Sequence, residues 1–524
     1  MTYRRQFSNY LLRNTIFNSF GRVVGLFIAF LLTPFVLSRL GREYFGIWAL
    51  TTALLSYVQL LDLGLGASFV KYVAEHAAQG NHDEINKIIS TGFFALGALS
   101  VILGGLAILA APTVVGLFQI NSHLLPTAIA VWRLTLVIFL IDYTFSLFNA
   151  VIQGLQRMDM TNAIAIGSAC FQAVMTVVIL GGGGGLIQWT LGRLFVECVT
   201  ACALLLATQH LLPSLRVRLA DTSMGTLRKL AHYGSRIQVA RFAELGITQV
   251  DKIALGAFVG LGAVSAYELG SRVVMSLKYL AGITTSALVP AASELQARDD
   301  RVLFLELYER SSKYLVLVAA PTMAFAVITA PALTLAWLGE VNSAAVRVVQ
   351  VLAVGAFIHL LTGSGTMLAR GIGRPELEAS YTVLLLVLNF VLSLLLIWHL
   401  GFTGALMATP IALLIASSFF LIQFHRQIVG DHLVHFAWRV WAWPVGIALL
   451  AGLATWLMPR PFQMQGLALR LQAFVDLGLK GALFIGLFSV LIFPSPYLDS
   501  ADRRLLRRLL AAVRARLHLF LAPA

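Results

Sequence analysis

Apolar runs of about 20 residues, separated by short polar breaks, dominate this sequence over residues 14–493. A helix of that length crosses the hydrocarbon core of a bilayer, which is about 30 Å thick. The regular alternation of apolar and polar residues expected of a membrane-spanning strand is absent from the sequence. With 59% hydrophobic and 12% charged residues, the chain has too few polar side chains to cover a water-soluble protein of 524 residues. The sequence therefore predicts an all-α polytopic membrane protein.

We assign these runs to about 14 transmembrane helices. Their predicted bounds are 14–37, 46–70, 91–111, 128–152, 161–181, 187–209, 236–258, 264–290, 314–337, 347–369, 377–398, 404–424, 439–458 and 473–493. If the N-terminus is cytoplasmic, the inner segments carry 25 Lys and Arg residues and the outer loops carry 4. Because basic residues are retained on the cytoplasmic side, this asymmetry predicts that both termini are cytoplasmic.

Three short motifs recur in the same order in the two halves of the chain. Leu40-Gly41 matches Leu261-Gly262, Ala111-Pro112 matches Ala330-Pro331, and Gly154 to Asp159 matches Gly371 to Glu376, at offsets of 221, 219 and 217 residues. Repeated helix bundles are common in transporters. The repeat predicts two pseudo-symmetric six-helix bundles, at 1–209 and 236–424, joined by a cytoplasmic linker at 210–235. A helix pair at 439–493 and a basic amphipathic cytoplasmic tail at 495–524 follow them.

The motifs resemble those of a known family of membrane proteins. Pro34 to Leu40-Gly41, Tyr44 to Trp48, Asp62 to Leu65, Gln153 to Arg157, and Asp251 followed by Gly262 to Tyr267 are similar to the Wzx-type flippases. These form the polysaccharide-transporter branch of the multidrug/oligosaccharidyl-lipid/polysaccharide (MOP) exporter superfamily. The resemblance implies two bundles around a V-shaped central cleft. It also implies alternating-access transport of a polyprenyl-diphosphate-linked oligosaccharide across the bacterial inner membrane.

Charged side chains within the predicted spans are the candidates for a binding site. Each Arg, Lys or Asp at mid-span costs about 2.5–3.5 kcal/mol, so such residues should face a wet cavity or one another. We count nine basic and six acidic residues in the spans, a surplus of three positive charges that favours an anionic cargo. Since Arg and Lys pair well with phosphate oxygens, the predicted diphosphate site consists of Arg22, Arg241, Arg272 and Lys278.

Other polar residues in the spans have separate predicted roles. Helical spacing places Asn18, Asp142, Ser146, Asn149 and Tyr279 on polar faces, where they are expected to line the cavity. Glu244, Asp251 and Asp142 are candidates for proton or sodium coupling, because a carboxylate in a low-dielectric cleft titrates nearer neutral pH.

Some of these charges have simpler interpretations. Glu268 with Arg272, Arg241 with Glu244, and Arg193 with Glu197 could neutralise one another along a helix. Arg133 and Arg347 lie near helix starts, where the side chain can reach the interface. For Lys480, a lipid-tail groove and contact with the interface remain two alternatives.

The favoured function is a flippase for an O-antigen, capsule or exopolysaccharide repeat unit. The alternatives are a peptidoglycan-precursor flippase, which requires the same diphosphate chemistry, and a cation-coupled multidrug exporter, which the surplus positive charge disfavours. A membrane-embedded polysaccharide polymerase or ligase is disfavoured because the outer loops are short. We expect a transporter without cofactor, metal or nucleic acid. Its partners are the lipid-linked substrate and membrane lipids, with a polymerase or glycosyltransferases as further candidates.

Overall fold

The computed structural model describes residues 24–58 except 26, 65–282, 285, 288–458, 469–500 and 502–504. Every regular element in these ranges is helical, which confirms the predicted all-α polytopic fold. The helices are α1 (Phe27–Leu40), α2 (Arg42–Val58), α3 (Leu65–Ala78), α4 (His82–Leu109), α5 (Ala111–Gly116), α6 (Leu125–Gly154), α7 (Met158–Gly181), α8 (Leu186–Leu211), α9 (Met224–Phe258), α10 (Leu261–Gly282), α11 (Leu288–Ala297), α12 (Arg301–Leu338), α13 (Ser343–Leu361), α14 (Gly363–Gly371), α15 (Pro375–Leu400), α16 (Phe402–Phe424), α17 (Leu433–Val440), α18 (Ala442–Leu457) and α19 (Leu469–Ile492). A 3-10 turn at Leu219–Asp221 and a π turn at His425–Val429 complete them.

Nine helical segments in the described ranges are long and apolar enough to cross a membrane, and α17 with α18, bent by 47°, makes a tenth. These ten coincide with ten of the predicted spans. The other four, at 14–37, 46–70, 236–258 and 264–290, coincide with helical residues of α1, α2 and α3, α9, and α10 and α11. The architecture is therefore consistent with 14 spans, while that count stays a prediction. One of the four, α10, carries three charged residues, which lower its hydropathy.

Packing divides the chain into two compact units. Unit 1 comprises Met1–Leu269 with Leu386–Ala405, and unit 2 comprises Gly270–Leu385 with Leu406–Ala524. Helices α10 and α15 each contribute residues to both units. In unit 1, apolar side chains of α3, α4 and α6 form a buried core. In unit 2, a second core joins α12 to α18 and α19. The predicted bundle boundaries at 209 and 236 stay a prediction.

Helix starts repeat between the two halves of the chain. Helix α4 begins at His82 and α12 begins at Arg301, an offset of 219 residues. The preceding residues are Asn81 and Asp300, and each side chain accepts a hydrogen bond from the backbone N–H three residues later, at 3.2 and 3.0 Å. Such caps satisfy backbone donors at a helix start. A side-chain cap of the same kind therefore starts the corresponding helix in each half of the chain.

Backbone conformation shows which residues correspond in the first repeat motif of the two halves. Gly41, with φ +83°, directly precedes α2, and Gly260, with φ +118°, directly precedes α10. The structural equivalent of Gly41 is therefore Gly260, at an offset of 219 residues, and the sequence pairing with Gly262 is wrong by two residues. The sequence comparison matched the two Leu-Gly dipeptides, but the position that requires glycine is the one with positive φ. That position is the second residue of the dipeptide in the first half and the residue before the dipeptide in the second half. The third motif keeps its predicted offset of 217, since Gln156 and Gly373 both have positive φ, +61° and +74°.

A close helix approach recurs at the same motif. A Cβ atom added to Gly154, at the end of α6, would lie 2.9 Å from the Cβ atom of Val73 on α3. At Gly371, which ends α14, it would lie 2.5 Å from the Cβ atom of Ala292 and 2.7 Å from the carbonyl oxygen of Val289, both on α11. Only glycine fits at these two contacts, which explains why the motif contains it in each half.

The segment between α8 and α9 lies along α4 within unit 1. The Asn86 amide donates to the Ser214 carbonyl at 3.0 Å and accepts from the Arg216 N–H at 3.1 Å. The Ser90 hydroxyl donates to the Arg216 carbonyl at 3.2 Å and accepts from the Arg218 N–H at 3.1 Å. Since α9 begins twelve residues before the predicted span at 236, this fixed segment is shorter than the sequence predicts.

Helix α12 contacts residues at the start of α19 and beyond its end, within unit 2. Near the C-terminus of α12, the Arg470 guanidinium of α19 donates to the carbonyls of Ala336 and Trp337 at 2.9 and 2.8 Å. Twelve residues after the start of α12, Lys313 forms an ion pair with Asp502, whose side chain is 1% exposed. Basic groups at a helix C-terminus satisfy its last carbonyls. These contacts attach the added helices to the part of α12 between Lys313 and Trp337.

Candidate functional site

The structure describes only part of the predicted site. Asn18 and Arg22 precede the described residues, and the side chains of Arg241 and Glu244 on α9 also lie outside them. The described members are Asp142, Ser146 and Asn149 on α6, Asp251 on α9, and Arg272, Lys278 and Tyr279 on α10. They fall into three groups, two in unit 1 and one in unit 2.

The first group surrounds Asp251 in unit 1. Its carboxylate is 2% exposed and accepts short hydrogen bonds from the hydroxyls of Tyr267 on α10 and Ser393 on α15. Burying a carboxylate in this way is costly unless donors replace its water shell, and two hydroxyls provide such donors here. Asp251 is thus held where α9, α10 and α15 meet.

An ion pair lies one residue further along α9. The Lys252 ammonium is 2.7 Å from the Glu268 carboxylate, and both side chains are at most 14% exposed. The Lys252 ammonium also donates to the Gln249 side chain at 3.1 Å. The sequence offered pairing of Glu268 with Arg272 along its own helix as one interpretation. The structure shows that Glu268 has a partner on the preceding helix, which helical spacing within α10 cannot reveal.

The second group follows α6. Asp142 is exposed, Ser146 and Asn149 are half-buried, and the Asn149 side-chain oxygen lacks a hydrogen-bond partner among the described residues. Asp142 and Glu197 of α8 interact electrostatically, and so do Glu197 and Arg193. No contact ion pair joins Arg193 to Glu197 in the described structure, so their pairing along α8 is looser than the sequence suggested. Two carboxylates and one guanidinium therefore share this part of unit 1.

The third group lies in unit 2. Arg272 and Tyr279 are seven residues apart on α10 and share one face, whereas Lys278 lies about 120° around the helix from Arg272. All three side chains are half-buried. Lys278 acts electrostatically on the imidazole of His359 on α13. The predicted cationic set is therefore divided, with Lys278 on the side of α10 that approaches α13.

Sequence reasoning missed several polar residues in the spans. Asn389 and Ser393 on α15 are fully buried, and their four-residue spacing within an apolar span is a signal that could have identified them. His359, in the middle of the span 347–369, was also overlooked. Asp476 in the span 473–493 and Glu378 in the span 377–398 raise the count of acidic residues from six to eight, and Arg236 and Arg439 at the ends of their spans raise the basic count from nine to eleven. The surplus of three positive charges is therefore unchanged.

The structure also shows the surroundings of three further basic residues in the predicted spans. Arg133, the ninth residue of α6, and Arg347, the fifth residue of α13, are both exposed, as expected of side chains that reach the interface. The Lys480 ammonium is 2.8 Å from the carboxylate of Asp476, four residues earlier on α19. This ion pair along the helix adds a third interpretation of Lys480, and the two sequence interpretations stay predictions. Of the basic tail, residues 505–524 lie outside the described part of the chain.

Comparison with known proteins gives a consistent picture. The sequence profile of a family described as polysaccharide biosynthesis protein matches residues 11–296. A putative O-antigen transporter of Shigella flexneri is 20% identical over 412 residues, which cover 77% of this chain and 95% of that protein. A probable low-salt glycan biosynthesis flippase, Agl15 of Haloferax volcanii, is 23% identical over 432 residues, or 80% of this chain and 86% of that protein.

Solved structures share the fold at low sequence identity. The lipid II flippase MurJ in an inward closed conformation aligns with a TM-score of 0.71 at 13% identity, over 91% of this chain and 98% of that one. An inward-facing multidrug resistance MATE transporter of the MOP superfamily aligns with a TM-score of 0.60 at 16% identity, over 80% and 95%. These similarities establish the fold and leave the substrate to be argued from the residues.

Proposed function

Because the chain belongs to the polysaccharide biosynthesis protein family, we propose that it is a flippase for a polyprenyl-diphosphate-linked oligosaccharide. The family membership confirms the resemblance deduced from the sequence motifs. The protein is a multi-pass membrane transporter, not an enzyme. The proposed cargo is a repeat unit of O-antigen, capsule or exopolysaccharide. The proposed location is the bacterial inner membrane, with both termini cytoplasmic, and the proposed mechanism is alternating access.

The observation that carries the proposal is basic side chains at membrane depth. Arg272 and Lys278 are half-buried in α10, a predicted span, where placing a charged side chain costs about 2.5–3.5 kcal/mol. A diphosphate headgroup would compensate for that cost with charge-assisted hydrogen bonds. Together with Arg22 and Arg241, these residues form the proposed diphosphate site, lined by Asn18, Asp142, Ser146, Asn149 and Tyr279.

A deletion strain tests the cargo directly. Loss of the protein should cause lipid-linked oligosaccharide to accumulate on the cytoplasmic face of the membrane, and wild-type protein should reverse this. Arg22→Ala and Arg272→Ala should abolish rescue while the protein remains inserted and abundant. Arg133→Ala, which removes an exposed charge near a helix start, is the matched control and should rescue fully. Full rescue by both Arg22→Ala and Arg272→Ala would refute the cationic site.

The second candidate is a flippase for a peptidoglycan precursor. It requires the same diphosphate chemistry, so the same site would serve either cargo. Accumulation of cytoplasm-facing peptidoglycan precursor in the deletion strain, instead of a polysaccharide repeat unit, would establish this second function. The multidrug exporter is disfavoured, because the surplus of positive charge in the spans does not suit cationic drugs.

Ion coupling is proposed at the three carboxylates of Asp142, Glu244 and Asp251. Asp251 is the strongest of the three candidates because two hydroxyls hold it, while Asp142 lies near Glu197 and Glu244 falls outside the described side chains. Asp251→Asn should make transport in vesicles insensitive to an imposed proton or sodium gradient. Transport by the wild-type protein that persists when both gradients are collapsed would reject the assignment. Association with a polymerase or glycosyltransferases is a further proposal, which copurification from membranes would test.

A further inference from the structure

The segment that joins α8 to α9 within unit 1 is rich in exposed basic side chains. Residues 212–229 contain four basic residues and one acidic residue, Asp221. All four basic side chains are exposed, and none forms an ion pair with a residue that the structure describes; they are Arg216, Arg218, Arg228 and Lys229. Their counter-charges therefore come from outside the described chain.

The side chains of this segment alternate between two faces. The backbone angles of Arg218, φ −130° and ψ 140°, are those of an extended chain, in which successive side chains point to opposite sides. Leu215 and Val217 pack against the core that α3, α4 and α6 form, whereas Arg216 and Arg218 are exposed. Hydrogen bonds to α4 also fix the backbone. Packing of the apolar residues therefore holds both arginines on the opposite, outer face of the segment.

Contacts with α4 place the segment at the level of the membrane interface. The predicted span in α4 begins at Thr91, whose hydroxyl accepts a hydrogen bond from the Ser223 N–H at 3.1 Å. One residue earlier, the Ser90 hydroxyl binds the Arg216 carbonyl and the Arg218 N–H. The segment from Arg216 to the start of α9 therefore lies where the hydrocarbon core meets the lipid headgroups.

Two large apolar side chains are exposed at this level. Leu219, in the 3-10 turn, is 68% exposed, and Met224, the first residue of α9, is 73% exposed. Segments that bind anionic membranes combine such apolar side chains, which enter the interface, with basic side chains, which attract the headgroups. The segment has both components within 14 residues, from Arg216 to Lys229.

Two lysines from different helices meet at one tyrosine ring beside the segment. The Nζ atom of Lys71 on α3 lies 4.8 Å from the centroid of the Tyr72 ring, and that of Lys229 on α9 lies 4.4 Å from it. Tyr72 lies two residues beyond the predicted span 46–70, which is again the level of the interface. Both ammonium groups therefore lie on one small patch of surface, where a single headgroup can contact both.

We propose that residues 216–229 form a binding surface for anionic phospholipid headgroups, with Leu219 and Met224 in contact with lipid at the interface. The guanidinium and ammonium groups bind the phosphate oxygens through charge-assisted hydrogen bonds. The excess of basic over acidic residues favours a headgroup with a net negative charge over a neutral one. The proposal goes beyond the flippase function and does not depend on which cargo is transported.

Lipid selectivity at Met224 tests the proposal. Full-length Met224→Cys protein, with its native cysteines replaced by alanine, is labelled with a fluorophore and reconstituted into phosphatidylcholine vesicles. A fixed small fraction of nitroxide-labelled phosphatidylglycerol or nitroxide-labelled phosphatidylcholine is then included. The phosphatidylglycerol should quench the fluorophore more strongly. This selectivity should fall by at least about fivefold in Arg216→Gln with Arg218→Gln, because each basic residue near an anionic surface strengthens the attraction by about that factor.

A second double variant controls for net charge. Arg301→Gln with Arg426→Gln removes two exposed basic residues of unit 2 and should leave the selectivity at residue 224 unchanged. An equal loss of selectivity in the two double variants would overturn the proposal. Equal quenching by the two lipids in protein with the native linker would overturn it as well.

The remaining outcomes concern the position and the nature of the partner. A label at residue 224 that neither lipid quenches would overturn the proposal, and crosslinking of that residue to another protein in native membranes would then identify a protein partner. If the linker double variant does not fold, salt provides a second test. At about 1 M salt, electrostatic attraction extends only about 3 Å, so the selectivity of protein with the native linker should fall. Selectivity that is unchanged by salt would reject the role of the basic residues.

Discussion

Two adjacent charged side chains at membrane depth, Asp251 and Lys252 of α9, have partners on other helices. Lys252 pairs with Glu268 of α10, and Asp251 accepts hydrogen bonds from hydroxyls on α10 and α15. Sequence spacing identifies such residues, because a charge inside an apolar run is conspicuous. It cannot identify partners that are brought together by tertiary packing. Ser393 shows this limit, since its spacing from Asn389 indicates a polar helix face but does not reveal that its hydroxyl binds Asp251.

The pair of Asp476 and Lys480 is an exception, and it can be tested by itself. Both side chains are at most 15% exposed, so Asp476→Asn should leave a buried ammonium without its counter-charge and cost about 3–5 kcal/mol. Thermal unfolding in detergent measures the loss. The double variant Asp476→Leu with Lys480→Met should recover most of it, because an apolar pair removes the burial cost of both charges. A double variant as unstable as the single one would show that packing, not charge, is responsible.

Asp502 anchors the beginning of the basic tail, and its contribution should depend on pH. Burial raises the pKa of this carboxyl, but hydrogen bonds from Lys313 and Tyr314 outweigh that effect, so the net pKa lies below the usual 3.8. A depressed pKa means that the stabilisation is complete above 3.8 and is lost as the pH falls through the lowered value. Unfolding temperatures measured down to about pH 3 should therefore show an acid-dependent loss in wild type that Asp502→Asn lacks.

At neutral pH the same variant should already be less stable. Removing the charge of Asp502 leaves Lys313, which is 13% exposed, without its partner, at a cost of about 3 kcal/mol. Glu294→Gln is the matched control, since its ion pair with Arg298 is more than 60% exposed on both sides. Exposed pairs contribute about 0–1 kcal/mol. Equal losses in the two variants would contradict the anchoring role of Asp502.

At the scale of helices, the sequence predicted which segments are helical and missed how they extend. Long apolar runs identify the membrane-spanning parts of helices, because apolar side chains are the ones that are stable in contact with lipid. Helices α4, α9 and α12 each begin well before their predicted spans, in polar sequence that the hydropathy criterion excludes by design. Their starts depend on capping side chains and on contacts such as those of Asn86 and Ser90 with the linker, and neither follows from hydropathy.

The contact of Gly371 with α11 should be intolerant of any side chain. In Gly371→Ala the new methyl group would lie 2.5 Å from the Cβ atom of Ala292, so the two helices must separate. We expect a loss of about 1–3 kcal/mol, the usual cost of overpacking, seen as a lower unfolding temperature. Gly167→Ala on α7 is the control: nothing lies within 4 Å of its added Cβ atom, and helix propensity favours alanine. Similar behaviour of the two variants would refute the close approach.

At the scale of the whole chain, the repeat is the strongest result that sequence alone could anticipate. Its order and its spacing were recognisable because glycines and prolines mark helix ends. The register of the first motif was not, since it depends on which residue adopts the left-handed conformation at Gly260. The division into bundles also resists prediction, because α10 and α15 supply residues to both compact units.

The proposed topology leads to a labelling experiment. In a protein whose Cys170, Cys198 and Cys202 are replaced by alanine, His123→Cys should react with an impermeant maleimide in intact cells. Gln79→Cys should react only after the membrane is permeabilised. Both positions are exposed, and the positive-inside rule places residue 79 on the cytoplasmic side of the membrane and residue 123 on the outer side. Reaction of Gln79→Cys in intact cells would show that the orientation is the opposite of the proposed one.

The attachment of α19 to α12 has a practical consequence for following transport. Arg470 fixes one end and Asp502 the other, so α19 should keep a constant distance from α12 throughout the cycle. The distance between a spin label on α19 and one on α12 should then stay the same during turnover. The distance between a label on α19 and one on a helix of unit 1 could be compared with it, to measure rearrangement during transport.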